Sequence, residues 1–139
     1  MMTVWQIEVD GDPPTWNHSY RIGYIRGRPG IVKLQSVSDW QAYVSLMVRT
    51  ARPSDWQPGR RVRVVIDWRT SRARDCDAGL KALLDAVATG LGVNDRIFLA
   101  CIRSNEVDRA RPRTLITIAN EEDCDCHLQH GQQALPQPA

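Results

Sequence analysis

Residues 61–92 read RVRVVIDWRTSRARDCDAGLKALLDAVATGLG, and within them the spacing of apolar residues changes once. Val62, Val64, Ile66 and Trp68 alternate with Arg61, Arg63 and Asp67, the period of a strand with one buried face. Leu80, Leu83, Leu84 and Val87 then fall on a single helical stripe, with Asp77, Lys81 and Asp85 along its flank, and Gly90 and Gly92 close the helix. Between the two lies a polar, basic connector, RTSRARD. A strand that passes through such a connector into an amphipathic helix predicts a fold built around a sheet.

Outward from this stretch the same two periods recur. TVWQIEV at the start alternates Trp5, Ile7 and Val9 against Val4, Gln6 and Glu8, a strand that ends at Asp10. GDPPTWNHSY follows as an extended loop, because its paired prolines cannot continue a strand ladder. YRIGYIR and GIVKL flank Gly27-Arg28-Pro29-Gly30 and predict a hairpin. Ser38-Asp39-Trp40-Gln41 has the form of a capping box, so a helix is expected to begin there, with Trp40, Tyr43, Val44 and Met47 facing the core and an end before Pro53. After Asn94-Asp95, RIFLACIR is a strand, NEVDRARP a basic loop and RTLITIA a last strand. The expected architecture is α/β (α+β), a single mixed sheet flanked by two helices over residues 1–120. Residues 121–139, acidic and rich in Gln and Pro, are expected to form a poorly ordered tail.

At 139 residues and 42% hydrophobic, the chain suits one domain and is too short for two. No apolar run approaches the roughly 18 residues of a membrane span, and MMTVWQIEVD lacks the pattern of a signal peptide, so a soluble, cytoplasmic protein without membrane partners is expected. Cys76, Cys101, Cys124 and Cys126 are few and irregularly placed, which fits reduced thiols. Residues 120–139 contain four acidic residues and neither Lys nor Arg, so the net +2 of the chain resolves into +6 before position 120 and −4 after it. A body of that sign attracts polyanions, nucleic acid above all.

The connector carries the chemistry. Asp75 and Asp77 stand one residue apart where the basic segment meets the helix, and Asp95 arrives from the far end of that helix just before the next strand. If the sheet sets that strand beside the earlier one, the three carboxylates can converge at one edge. Three negative charges in a small space need a cation, and hard oxygen ligands favour Mg2+ or Mn2+. Such a cation suits phosphoryl chemistry, and Lys81, one turn past Asp77, is placed to add a positive charge. The same residues also fit a plainer arrangement: Asp77 as a helix cap, Asp77-Lys81-Asp85 as a salt-bridge ladder, Asp95 as a turn residue. Spacing alone does not choose between them.

Several motifs together resemble the RusA family of Holliday-junction resolvases. Arg74-Asp75-Cys76-Asp77 is similar to the family's Arg-Asp-x-Asp run, Lys81 and Asp85-Ala86 follow at the family's spacing, and Asp95 stands at its late acidic position. Pro13-Pro14-Thr15-Trp16-Asn17, with Tyr20 after it, resembles the family's Pro-Pro-Ser-x-Asn motif. The resemblance covers positions 5 to about 119 in the same element order. Ala78 stands where the family has Asn, and Asn94 replaces the first member of a common acidic pair.

What the resemblance implies is a homodimeric, Mg2+-dependent endodeoxyribonuclease, with Mn2+ as a possible substitute, that nicks four-way or branched DNA symmetrically during recombination or repair in a bacterial cell or phage-infected host. No small-molecule cofactor is implied. Asp75, Asp77 and Asp95 would hold the metal and Lys81 would assist. Arg74, with Arg72, Arg69, Asn17, Arg26, Arg28, Lys33 and Arg103, would meet the DNA, as would Arg21 and the Arg109, Arg111, Arg113 loop.

Three rivals stand beside it. Cys124, Cys126, His127 and His130 offer four zinc ligands, although the cysteines are one residue apart instead of the usual spacing of about two to four. A junction-binding protein that does not cut and a general branched-DNA nuclease share most of the expected surface.

Overall fold

The computed structural model describes residues 3–14, 20–33 and 35–123. Strands β1 (Val4–Asp10), β4 (Val62–Thr70), β5 (Phe98–Val107) and β6 (Arg113–Asn120) form one mixed sheet in the order β1-β6-β4-β5. Strands β2 (Tyr20–Ile25) and β3 (Arg28–Lys33) form a small sheet of their own, so the expected single sheet is one mixed four-stranded sheet and a separate hairpin. Helices α1 (Gln35–Ala51) and α2 (Leu80–Leu91) complete an α+β fold. Among the described residues no helix is long and apolar enough to cross a membrane.

Alternation decides which side of the sheet is covered. Trp5, Ile7 and Val9 of β1, Val62, Val64, Ile66 and Trp68 of β4, and Ile116 and Ile118 of β6 share one face through their pairing and join Val44, Val48, Leu83, Val87 and Leu91 of the helices in one core. The opposite face is more polar, with Gln6 donating to the Thr117 hydroxyl at 3.1 Å and Glu8 paired with Arg111 and Arg113. Strands β4 and β5 are parallel, and α2 lies in the crossover from one to the other that a parallel pair requires.

The helices approach closely. Gln41 Nε2 donates to the Ala82 carbonyl at 3.0 Å and Ser45 Oγ to Ala86 at 2.8 Å. A Cβ on Gly90 would lie 2.8 Å from the Ser45 carbonyl and 2.9 Å from Val48, so Gly90 serves helix contact inside α2 rather than its end. Gly92 alone ends the helix, at φ 69°, with the left-handed geometry a glycine adopts without strain.

Several local expectations shift. Helix α1 begins at Gln35, and Gln41 turns inward to α2 instead of closing a capping box with Ser38. The buried positions are Val37, Gln41, Val44, Ser45 and Val48, leaving Tyr43 exposed, because contact with α2 outweighs the local cap signal. The hairpin turns at Arg26-Gly27, both with positive φ, and Arg28, Pro29 and Gly30 belong to β3. Strand β5 runs on to Val107, so Asn105, Glu106 and Val107 leave the expected loop. The expected tail begins with an ordered turn, Glu121–Asp123, whose Glu121 N–H donates to the Arg61 carbonyl at 3.0 Å.

Candidate functional site

At Thr70 the chain leaves β4 and crosses residues 71–79 before α2 begins. This connector is anchored residue by residue. Asp12 accepts from the Ser71 N–H at 2.8 Å and from its hydroxyl at 2.5 Å, and Thr70 Oγ1 donates to the Arg72 carbonyl at 2.7 Å. The Arg74 guanidinium donates to the Pro13 carbonyl. Asn105 Nδ2 donates to the Arg74 carbonyl at 2.8 Å, and Trp68 Nε1 to the Cys76 carbonyl at 2.6 Å. Finally the N–H groups of Ala78 and Leu80 donate to the carbonyls of Asp75 and Asp77, each at 3.1 Å.

Gly79 precedes α2 and makes no side-chain cap, so the expected cap at Asp77 is not formed. A Cβ at Gly79 would sit 3.0 Å from the Pro14 carbonyl, 3.3 Å from Pro13 Cβ and 3.4 Å from Trp68 Cη2. The fold thus seats Pro13-Pro14 against the 74–79 connector, joining two motifs about sixty residues apart in the chain.

What remains outside this packing is the pair of carboxylates. Asp75 and Asp77 are exposed, and among the described residues neither side chain takes a hydrogen bond or ion pair. Lys81 Nζ lies 3.1 Å from Asp85 Oδ1, so the Lys81–Asp85 rung of the expected ladder is formed. Burial would raise the Asp12 carboxyl, but hydrogen bonds from the Ser71 side chain and backbone, then the charges of Arg74 and Arg72, hold it below its ordinary range.

Asp95 is elsewhere. It opens the short 3-10 turn Asp95–Ile97, which Asn94 caps by accepting from the Arg96 N–H at 2.9 Å, and which runs into Phe98. Phe98 pairs with Val62 at the start of β4, whereas Trp68 and Asn105 hold the carboxylate connector near its end. Six steps of β4, roughly 20 Å at about 3.3 Å each, separate those two levels. The expected strand adjacency holds, but its parallel direction keeps Asp95 from Asp75 and Asp77 within one chain. Among the described residues no three His, Cys, Asp or Glu side chains converge as a metal site.

The basic residues divide. Arg26 and Arg28 are exposed at the hairpin tip, and Arg72 is exposed on the connector. Arg69 donates to the Trp68 carbonyl and to Ser104 Oγ, both at 2.8 Å, and lies 3.7 Å from Glu106. Arg103 is an extra residue in β5, where the register shifts, and this bulge lets both Arg103 and Ser104 reach the buried Asp67, at 2.5 Å in each case. Burial would raise the Asp67 carboxyl, but those bonds and the charges of Arg103 and Arg69 hold it below its ordinary range. Arg111 pairs with Glu8, and Arg113 with Glu8 and Asp108. Asn17 lies outside the described residues with Thr15 and Trp16, as do the side chains of Tyr20, Arg21 and Lys33, and all of Cys124, Cys126, His127 and His130.

Asp12, Trp68 and Asn105 were not legible as site residues. Asp12 stands in a loop, Trp68 has the spacing of a core residue, and Asn105 belongs to a segment with loop composition. Only their distant partners give them a role.

The chemistry available is a pair of hard oxygen donors on an anchored loop. Mg2+ is commonly held by one or two carboxylates with its remaining positions left to water and phosphate oxygens, and Asp75 and Asp77 suit that demand. The chain matches no model of a protein family, and no curated protein matches it.

Proposed function

We propose that the protein is a Mg2+-dependent endodeoxyribonuclease of the RusA kind, acting on four-way DNA junctions as a homodimer. The observation that carries the proposal is the connector itself: exposed carboxylates at Asp75 and Asp77 rise from a backbone tethered on both sides and backed by Pro13-Pro14. A helix that needed only a polar start would not require this anchoring. Mg2+, or Mn2+ in its place, would supply charge stabilisation at phosphate and a more acidic bound water.

In this proposal Asp75 and Asp77 hold the cation, and Lys81 stands one turn along α2 to balance charge on the phosphate. Arg72 and the remaining N–H groups of Arg74 meet the DNA backbone, and Arg26 and Arg28 extend that contact from the hairpin. Water attacks phosphorus, a new P–O bond forms, and the bond to the leaving sugar oxygen breaks, with no covalent enzyme intermediate.

Asp95 takes part only through a second copy. Strand β5 is an edge of the sheet, and a two-fold axis that sets two β5 strands antiparallel carries each Asp95 toward the other copy's Asp75 and Asp77. One dimer then has two equivalent composite sites, as paired nicks in strands of like polarity require.

The separation of Asp95 within one chain favours a second reading, a junction-binding protein that does not cut. A nicking assay on a synthetic four-way junction with Mg2+ decides between them, with wild type beside Asp75→Asn and folding followed by circular dichroism. Paired symmetric nicks from wild type and none from the folded variant support the nuclease; junction binding without cutting in Mg2+ or Mn2+ supports the second reading. Flaps, Y-forks and linear duplex as competing substrates separate a junction resolvase from a general branched-DNA nuclease.

A further inference from the structure

We infer that Trp68 and Asn105 are positioning residues for the two carboxylates, an inference that rests on the metal-dependent reading above. The two face each other as Cα partners across β4 and β5. From that rung Asn105 Nδ2 reaches the Arg74 carbonyl at 2.8 Å and Trp68 Nε1 the Cys76 carbonyl at 2.6 Å. The first carbonyl belongs to the peptide unit that leads into Asp75, and the second to the unit that leads into Asp77. Each carboxylate residue therefore has its preceding peptide plane fixed by one side chain. The following planes are fixed as well, since the Asp75 and Asp77 carbonyls accept from Ala78 and Leu80 at 3.1 Å.

The consequence is specific to a cation. Asp75 and Asp77 repel one another, and a free connector would relax by turning one peptide and separating the charges. With both planes held, only side-chain rotation remains to the two carboxylates that would hold the cation. Asn105 is exposed, so water can replace its donor at little cost to the fold, whereas Trp68 is buried and its bond to Cys76 is partly so. Loss of the Asn105 bond should appear in metal affinity before it appears in stability.

The test uses Mn2+ as the probe, its free concentration read by electron paramagnetic resonance with the full-length chain, alongside thermal midpoints. Asn105→Ala and Asn105→Leu remove the donor, the second with its shape kept and no charge added, and Trp68→Phe keeps an aromatic ring while removing the N–H. Each should weaken Mn2+ binding about tenfold, with the midpoint of the Asn105 variants unchanged, and raise the metal concentration for half-maximal nicking by a similar factor. Variants that bind Mn2+ as tightly as wild type overturn the positioning role while leaving the nuclease reading standing. Absence of Mn2+ binding by wild type, with and without four-way DNA, overturns both.

Discussion

Phe98 pairs with Val62, the first residue of β4, rather than with a residue near its end. This one pairing sets Asp95 and the Asp75-Asp77 connector at opposite ends of the sheet. A dimer is then a chemical requirement of the proposed three-carboxylate site, and it can be checked by mixing. Asp75→Asn and Asp95→Asn should each be inactive alone, yet a co-expressed mixture should recover about a quarter of the wild-type sites, because half of the dimers are mixed and each has one intact composite site. No recovery in verified mixed dimers would place all three carboxylates in one chain's site or in none.

The hairpin tip makes a separate prediction about salt. Arg26 and Arg28 are exposed there, and two phosphate contacts release about two counterions. Replacing both by alanine should weaken junction binding across sequences and reduce the slope of log affinity against log salt by about 2, with the unfolding midpoint unchanged. An unaltered slope would remove the hairpin from the DNA surface.

Acid should weaken the sheet through Asp67. Asp67 is buried, and its carboxyl lies below its ordinary range: burial opposes the charge, while bonds from Arg103 and Ser104 and the charges of Arg103 and Arg69 more than offset it. A depressed folded value means that its stabilisation is fully present above about pH 4 and is lost as pH falls through the folded value. Asp67→Asn should cost about 1–3 kcal/mol at neutral pH and flatten the decline in stability below about pH 4, as measured by urea unfolding across pH. A variant with the same acid profile as wild type would show that other carboxylates control it, Asp12 and Asp108 being lowered too.

Gly79 tests the seating of Pro13-Pro14. Its φ of −113° suits alanine, so Gly79→Ala sets a crowded contact, a Cβ 3.0 Å from the Pro14 carbonyl, against the smaller gain from a less free unfolded chain. The expected loss is about 1–3 kcal/mol in denaturant unfolding, together with weaker Mn2+ binding as the connector shifts. Unchanged stability would show that the Pro13-Pro14 segment yields without cost.

Much of this molecule was legible because its signals are local. The alternation of Val62, Val64, Ile66 and Trp68 and the stripe of Leu83 and Val87 follow from backbone periods of two and 3.6 residues, which hold wherever the segment sits. So does the place of Asp75 and Asp77 between a strand and a helix. Even local signals yield to packing, however: the Ser38 to Gln41 cap pattern lies inside α1, because Gln41 finds the Ala82 carbonyl.

The α+β class, the core stripes and the connector that carries the carboxylates all follow from residue order alone. Tertiary structure decided which of these meet. The parallel direction of β4 and β5 moved Asp95 away from Asp75 and Asp77, and their register brought Trp68 and Asn105 to the Arg74 and Cys76 carbonyls. The reason is physical: a period is written in neighbouring residues, whereas strand direction and register come from the whole chain burying its apolar faces and satisfying its backbone bonds at once.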